Sequence, residues 1–287
     1  MILVQCTSQP VKKQLGEAIS TIAAADYPTN WPDLMPSLVS HFSTNTPSTL
    51  NNVLYVLTSL LKRYTFVTRN DTVLTSLQYT LKTLQTPYLA LLTAQASKLL
   101  QGTPNPAELP DLLESLKLLC EVYFSLNWLE LPEYFEDEMD KSMTIFQSLL
   151  QYTNPALASS DDSEGPVEAM KCQIIACLEV YASKDEEPFQ PFLQPFTTIV
   201  WGLLTQLPGD LAYDNLTTGA LGFLTSIVSK PAHAGIFGTA EVIGQIVGQI
   251  VLRNVGVRES DVEKYEEDPG DYIVADFEGS DTGSRKK

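Results

Sequence analysis

The chain has 287 residues, 44% of them apolar, and carries 18 basic against 35 acidic side chains, a formal net charge of −17. That balance excludes a nucleic-acid binder, which needs a basic face to displace counterions from phosphates, and the apolar content excludes general disorder. Four cysteines without a paired spacing exclude a disulfide scaffold and point to a reducing compartment.

The N-terminal Met1-Ile2-Leu3-Val4-Gln5-Cys6 is apolar for only a few residues and lacks a basic lead, so it does not read as a signal peptide. Helical periodicity follows. Leu50, Val53, Leu54, Leu57, Leu61 and Tyr64 recur at three- and four-residue steps. So do Leu74, Leu77, Leu81, Leu84, Tyr88 and Leu91, and then Leu112, Leu113, Leu116, Leu119, Cys120 and Tyr123. Each set is one apolar stripe of period 3.6. No run of strict alternation and no Asn-Gly turn supports a sheet. Prolines mostly fall between the stripes. Pro87 interrupts one, predicting a kink or break near Thr86, and Pro191 and Pro195 predict an irregular first turn.

The spacing predicts about ten helices, over 9–25, 31–44, 47–66, 71–101, 108–126, 138–152, 165–183, 189–207, 212–229 and 236–253. They pair as about five antiparallel hairpins whose starts lie 38, 61, 57 and 47 residues apart, a loose version of the HEAT period. One amphipathic hairpin cannot bury its own stripe, and stacked hairpins can. The fold class is all-α, a superhelical HEAT-repeat α-solenoid over 1–257, followed by an acidic, partly disordered insertion or tail over 258–287. From Glu259 to Asp281 that tail carries ten acids and one base, Lys264, with Tyr265, Tyr272 and Phe277 interleaved. It reads as a solvated segment or as a surface for a basic partner. The apolar stretch from Ile236 to Leu252 carries Glu241, Gln245 and Gln249, so membrane insertion is not expected.

No catalytic constellation assembles. His41 and His233 stand outside any metal pattern, and no phosphate loop or nucleophile elbow is present. Cys172 and Cys177 lie about 140° apart on a helix, which suits buried apolar thiols better than a metal pair. Gly244 and Gly248 read as a place where neighbouring repeats approach. Glu130, Glu133, Glu136, Asp137, Glu138 and Asp140 read as a solvated face that complements the dipole of the following helix. Ser159, with Asp162 three positions on, has an acidic context that suits phosphorylation, although a plain loop accounts for it. The acceptor patterns at Asn70 and Asn215 read as chance without a secretory signal. No enzyme, cofactor or metal is expected.

Asp26-Tyr27-Pro28-Thr29-Asn30-Trp31-Pro32 places an aromatic anchor at a helix-to-helix turn and resembles that turn in the importin-β superfamily. Leu61-Lys62-Arg63-Tyr64 follows at the expected distance. The block from Tyr123-Phe124-Ser125-Leu126-Asn127-Trp128 through Pro132-Glu133-Tyr134-Phe135-Glu136-Asp137 resembles the CAS-type exportin family, the importin-α re-exporters, as do Tyr272-Ile273 and Phe277 to Asp281. The resemblance implies a nuclear transport receptor that binds Ran-GTP and importin-α, with nuclear pore proteins as further partners. It implies shuttling between nucleus and cytoplasm at the nuclear envelope, without enzymatic activity. It also implies that the chain lacks the family's first and C-terminal repeats, a fragment with an uncapped apolar end. The expected partner contacts are Asp268, Asp271, Asp276, Glu278 and Asp281. A generic HEAT scaffold in another assembly stays open as the alternative.

Overall fold

The computed structural model describes residues 9–43, 46–102, 104–157, 159, 163–184, 186–230 and 239–278, and among them there is no β-strand. In chain order the helices are α1 (Gln9–Asp26), α2 (Leu34–Val39), α3 (Pro47–Leu61), α4 (Asp71–Leu100), α5 (Leu109–Asn127), α6 (Glu133–Asp137), α7 (Met139–Gln151), α8 (Pro166–Lys184), α9 (Glu186–Gln206) and α10 (Asp214–Val228). After them come α11 (Ala240–Gln245), a π-helical turn (Ile246–Val251), α12 (Leu252–Val255), α13 (Glu259–Glu267) and α14 (Pro269–Glu278).

Two layers follow from the packing. Helices α1, α3, α5, α8 and α10 each touch the next, and α2, α4, α7 and α9 form the second row, with the π turn against α9. Side-chain bonds show the register of the first row. Cys177 to Cys120, Tyr181 to Tyr123 and Lys184 to Trp128 are offset by 57, 58 and 56 residues. A nearly constant offset means that α5 and α8 run in the same direction, side by side. The α1–α3 pair is offset by 39 and 40 residues at Ser20 to Ser59 and Arg63 to Ala23. The α3–α5 pair is offset by 60 and 59 at Asn51 to Asp111 and Tyr55 to Glu114. These offsets reproduce the uneven repeat spacing read from the stripes, and the 30-residue α4 accounts for the longest of them.

The stripes are the core. Leu54, Leu57, Leu84, Leu113, Leu116, Tyr123, Phe146, Ile174, Leu178, Phe196 and Phe223 are all fully buried in one continuous cluster. Each such side chain contributes roughly 1.5–3 kcal/mol. Continuity of the cluster through every repeat from α1 to α10 is what makes this a solenoid rather than two globules.

Several expectations are corrected. Helix α4 runs unbroken through Pro87, because Leu84, Tyr88, Leu91 and Leu92 on both sides of it are buried and their packing outweighs one missing backbone bond. Helix α9 starts at Glu186, three residues before the expected 189, so Pro191 and Pro195 fall inside a regular helix and not in an irregular first turn. The expected 31–44 helix shrinks to α2. Beyond it the backbone ladder tightens to turn-type bonds, from the His41 N–H to the Leu38 carbonyl and from the Phe42 N–H to the Val39 carbonyl, while Ser40 Oγ and His41 Nδ1 both bond the Ser37 carbonyl. Among the described residues no neighbouring repeat approaches Gly244 or Gly248: a Cβ built on either meets nothing within 4 Å. Residues 259–278, read as a solvated segment or a surface for a basic partner, carry two largely exposed helices that the periodicity does not predict.

Candidate partner-binding surfaces

Helices α13 and α14 form an acidic hairpin. Its root is Arg258, whose guanidinium pairs in bidentate fashion with the Asp214 carboxylate at the start of α10, with Nη1 2.9 Å from Oδ2. The Arg258 backbone N–H also donates to Asp261 Oδ2 at 3.1 Å, which caps α13. At the tip, Asp268 Oδ1 accepts from the Asp271 N–H at 3.0 Å and opens α14. Tyr265 and Tyr272 meet edge to face at 5.8 Å and hold the two helices together. Around that contact Val262, Tyr265, Ile273 and Val274 are exposed. The hairpin therefore offers apolar side chains within an acidic frame.

Of the five expected contact residues, Asp268 and Asp271 lie exposed at the tip of this hairpin. Asp276 and Glu278 fall on the backbone of α14. Asp281 lies outside the described residues, as does His233. His41 is held by the turn after α2. The six acids around Pro132 divide: Glu133, Glu136, Asp137 and Asp140 are exposed, Glu138 is half-buried with Lys141 Nζ 3.9 Å away, and Glu130 Oε2 lies 2.6 Å from Arg69 Nη2 in a contact between repeats.

The three described thiols are packing groups. Cys177 donates to the Cys120 carbonyl at 3.3 Å, both are buried, and burial drives both thiol pKa values up. Cys172 is half-buried and pushed up to about 11. A nucleophilic cysteine needs the opposite shift. Among the described residues no group of three His, Cys, Asp or Glu side chains is placed to hold a metal ion, and no helix is long and apolar enough to cross a membrane. Ser159 Oγ accepts from the Gly165 N–H at 2.8 Å and lies 3.1 Å from Glu168 Oε2, so this hydroxyl closes a loop. A Cβ at Gly165 would fall 2.3 Å from that same carboxylate oxygen, the movable end of the Glu168 side chain, and 3.0 Å from the Leu157 carbonyl oxygen.

Two features escaped sequence reasoning. One is an aromatic edge. Phe66, at φ 55° and largely exposed, stacks 4.4 Å from Trp128, and Lys184 Nζ lies 3.5 Å from the centre of the same indole. The other is a groove of about 510 Å³ between α4 and the segment from Glu130 to Asp137. Neither has a sequence signal, because each joins residues more than forty positions apart.

The segments that suggested a family meet in space. Tyr27 and Tyr64 share the Thr80 hydroxyl, at 3.0 Å each, and Tyr64 reaches Ser76 at 2.8 Å. Tyr123 and Phe135, from the long block, pack edge to face at 5.2 Å in a cluster with Tyr88, Phe146 and Tyr181. Stacked helix pairs joined by such hubs, with interaction surfaces on edges and loops, define a HEAT-repeat solenoid of the exportin kind. The Cse1 family profile matches residues 60–287, and the profile of Exportin 1-like protein matches residues 8–87. The chain belongs to the Cse1 family.

Among its relatives, the importin alpha re-exporter of Saccharomyces cerevisiae is 36% identical over 276 residues, covering 96% of this chain and 29% of the relative. Exportin-2 of Dictyostelium discoideum is 34% identical over 290 residues, covering 99% and 30%. The solved structure of the exportin Cse1 in its cargo-free, cytoplasmic state superimposes with a TM-score of 0.94 at 34% identity, over 99% of this chain and 31% of that one. The chain thus spans about three-tenths of the length of these relatives.

Proposed function

We propose that this chain is a segment of a nuclear export receptor that binds Ran-GTP and importin-α and shuttles between nucleus and cytoplasm. The observation that carries the reading is the unbroken match to proteins named importin alpha re-exporter and exportin-2 over 96–99% of the chain, at a TM-score of 0.94 to an exportin. Binding is through surface complementarity rather than chemistry on a substrate. The net charge of −17 selects basic partners and speeds their association. Asp268, Asp271, Asp276, Glu278 and Asp281 supply contacts from the acidic segment, and nuclear pore proteins are further partners.

The test is capture of purified importin-α by this chain, with and without Ran loaded with a non-hydrolysable GTP analogue, alongside a version extended at both ends. Ran-dependent capture by either supports the reading. Absence of capture by both returns the chain to a generic HEAT scaffold. Neutralising Asp268 and Asp271 should weaken capture and flatten its salt dependence, and an unchanged salt slope would remove the hairpin from the interface.

A further inference from the structure

The groove between α4 and the 130–137 segment has two unlike walls and an apolar floor. On α4, Gln78 and Gln85 lie seven residues apart, about 10.5 Å along the helix on one face, with Lys82 between them. Three side chains with N–H donors therefore stand in a row. Facing them, Glu133 and Asp137 are exposed carboxylates, while Glu130 is already paired with Arg69. Between the walls Leu131 is partly exposed, and Pro132 lines the groove although largely buried.

We infer that this groove binds an extended peptide segment carrying Lys or Arg side chains. A row of about 10.5 Å spans roughly three residues of extended chain. Extended peptide has no internal backbone bonds, so its carbonyls and N–H groups need partners. Side-chain amides serve both, each with one acceptor oxygen and two donor hydrogens, and the Lys82 ammonium serves the carbonyls. Basic side chains on the opposite edge then meet Glu133 and Asp137, where charge-assisted bonds are the stronger kind. An aliphatic residue between them covers Leu131 and Pro132. An acidic segment would meet two carboxylates against one ammonium. The groove is separate from the acidic hairpin, and its occupancy does not require Ran-dependent binding.

The probe is a fluorescein-labelled, acetylated and amidated hexapeptide, Lys-Leu-Arg-Lys-Leu-Arg, titrated by anisotropy against the full chain at physiological ionic strength. Three double variants accompany it, each checked for unchanged helicity: Glu133→Gln with Asp137→Asn, Gln78→Ala with Gln85→Ala, and, at two exposed acids away from the groove and the hairpin, Glu187→Gln with Asp210→Asn. Saturable binding is expected. The first variant should lose roughly tenfold in affinity. The second should lose several-fold with its salt slope unchanged, and the third should bind as the parent does. No saturable binding, a loss as large in the Glu187/Asp210 variant as in the groove variants, or full binding by either groove variant would overturn the assignment. A matching peptide with Glu in place of Lys and Arg should not bind, and binding by it equal to the parent peptide's would overturn the charge argument.

Discussion

Lys184 Nζ sits 3.5 Å from the centre of the Trp128 indole and 2.6 Å from the carbonyl oxygen of the same residue. One ammonium at the C-terminal end of α8 thus caps the end of α5 and rests on its aromatic terminus. The arrangement recurs along the row. Arg63 donates to the Ala23 carbonyl near the end of α1 at 3.0 Å, and Lys230 donates to the Ala182 carbonyl near the end of α8. Each cation neutralises the negative end of the preceding helix and ties one repeat to the next.

Replacing Lys184 by Met should therefore destabilise the chain by about 1 kcal/mol, the scale of an exposed cation–π contact plus a helix-end charge. Urea denaturation reads this as a lower midpoint with an unchanged slope. Lys184→Arg should recover part of the loss. A midpoint identical to the parent for Lys184→Met would mean that the ammonium is solvated rather than docked.

The Tyr181 hydroxyl donates to the Tyr123 hydroxyl at 2.7 Å, and both rings are buried. Tyr181→Phe or Tyr123→Phe alone leaves a buried hydroxyl short of a partner and should cost about 1–3 kcal/mol. The double replacement should cost less than the sum of the two, because both polar groups leave together. A double-mutant cycle by thermal or chemical denaturation checks this. Simple additivity would show that the two hydroxyls do not interact.

Glu179 is half-buried on α8 against Gly222 of α10, and desolvation raises its carboxyl above the ordinary value of 4.5. A raised folded value means that the folded state holds the proton more tightly than the unfolded state. The ionised form therefore costs stability at neutral pH, and that cost disappears as pH falls through the folded value toward 4.5. Glu179→Gln should raise the melting temperature near neutral pH, and its advantage should vanish in acid. An advantage that is constant with pH would mean that volume or packing, not charge, sets it.

Gly202 in α9 and Gly244 in α11 stand inside helices with nothing within 4 Å of an added Cβ. Alanine there should stabilise the chain by about 0.5–1 kcal/mol through the entropy of the unfolded state. Exposed Ile243, Val247, Val251 and Val255 lie near Gly244. If another surface closes over that face in solution, Gly244→Ala should destabilise while Gly202→Ala still stabilises, and calorimetry of the pair distinguishes the cases.

Leu50 to Tyr64, Leu74 to Leu91 and Leu112 to Tyr123 were legible as buried stripes because a period of 3.6 is written into one dimension. The repeat spacing followed from where the breakers fall, and the acidic character of 259–281 followed from counting. The two helices within that segment were hidden behind its charge. Their stability draws on the Arg258–Asp214 pair, the Asp268 cap and the Tyr265–Tyr272 contact, none of which periodicity registers. Pro87 reads as a kink or break, and Pro191 and Pro195 as an irregular first turn, because a proline's local cost is visible in sequence, while the packing that offsets it comes from other helices. The groove between Gln78, Gln85, Glu133 and Asp137, and the stack of Phe66, Trp128 and Lys184, existed nowhere until the solenoid set successive repeats side by side. Sequence by itself determined which faces are apolar and how often they recur, since burial depends on residue type. Tertiary structure alone decided which distant polar and aromatic side chains share a surface, since that depends on the register with which one repeat stacks on the next.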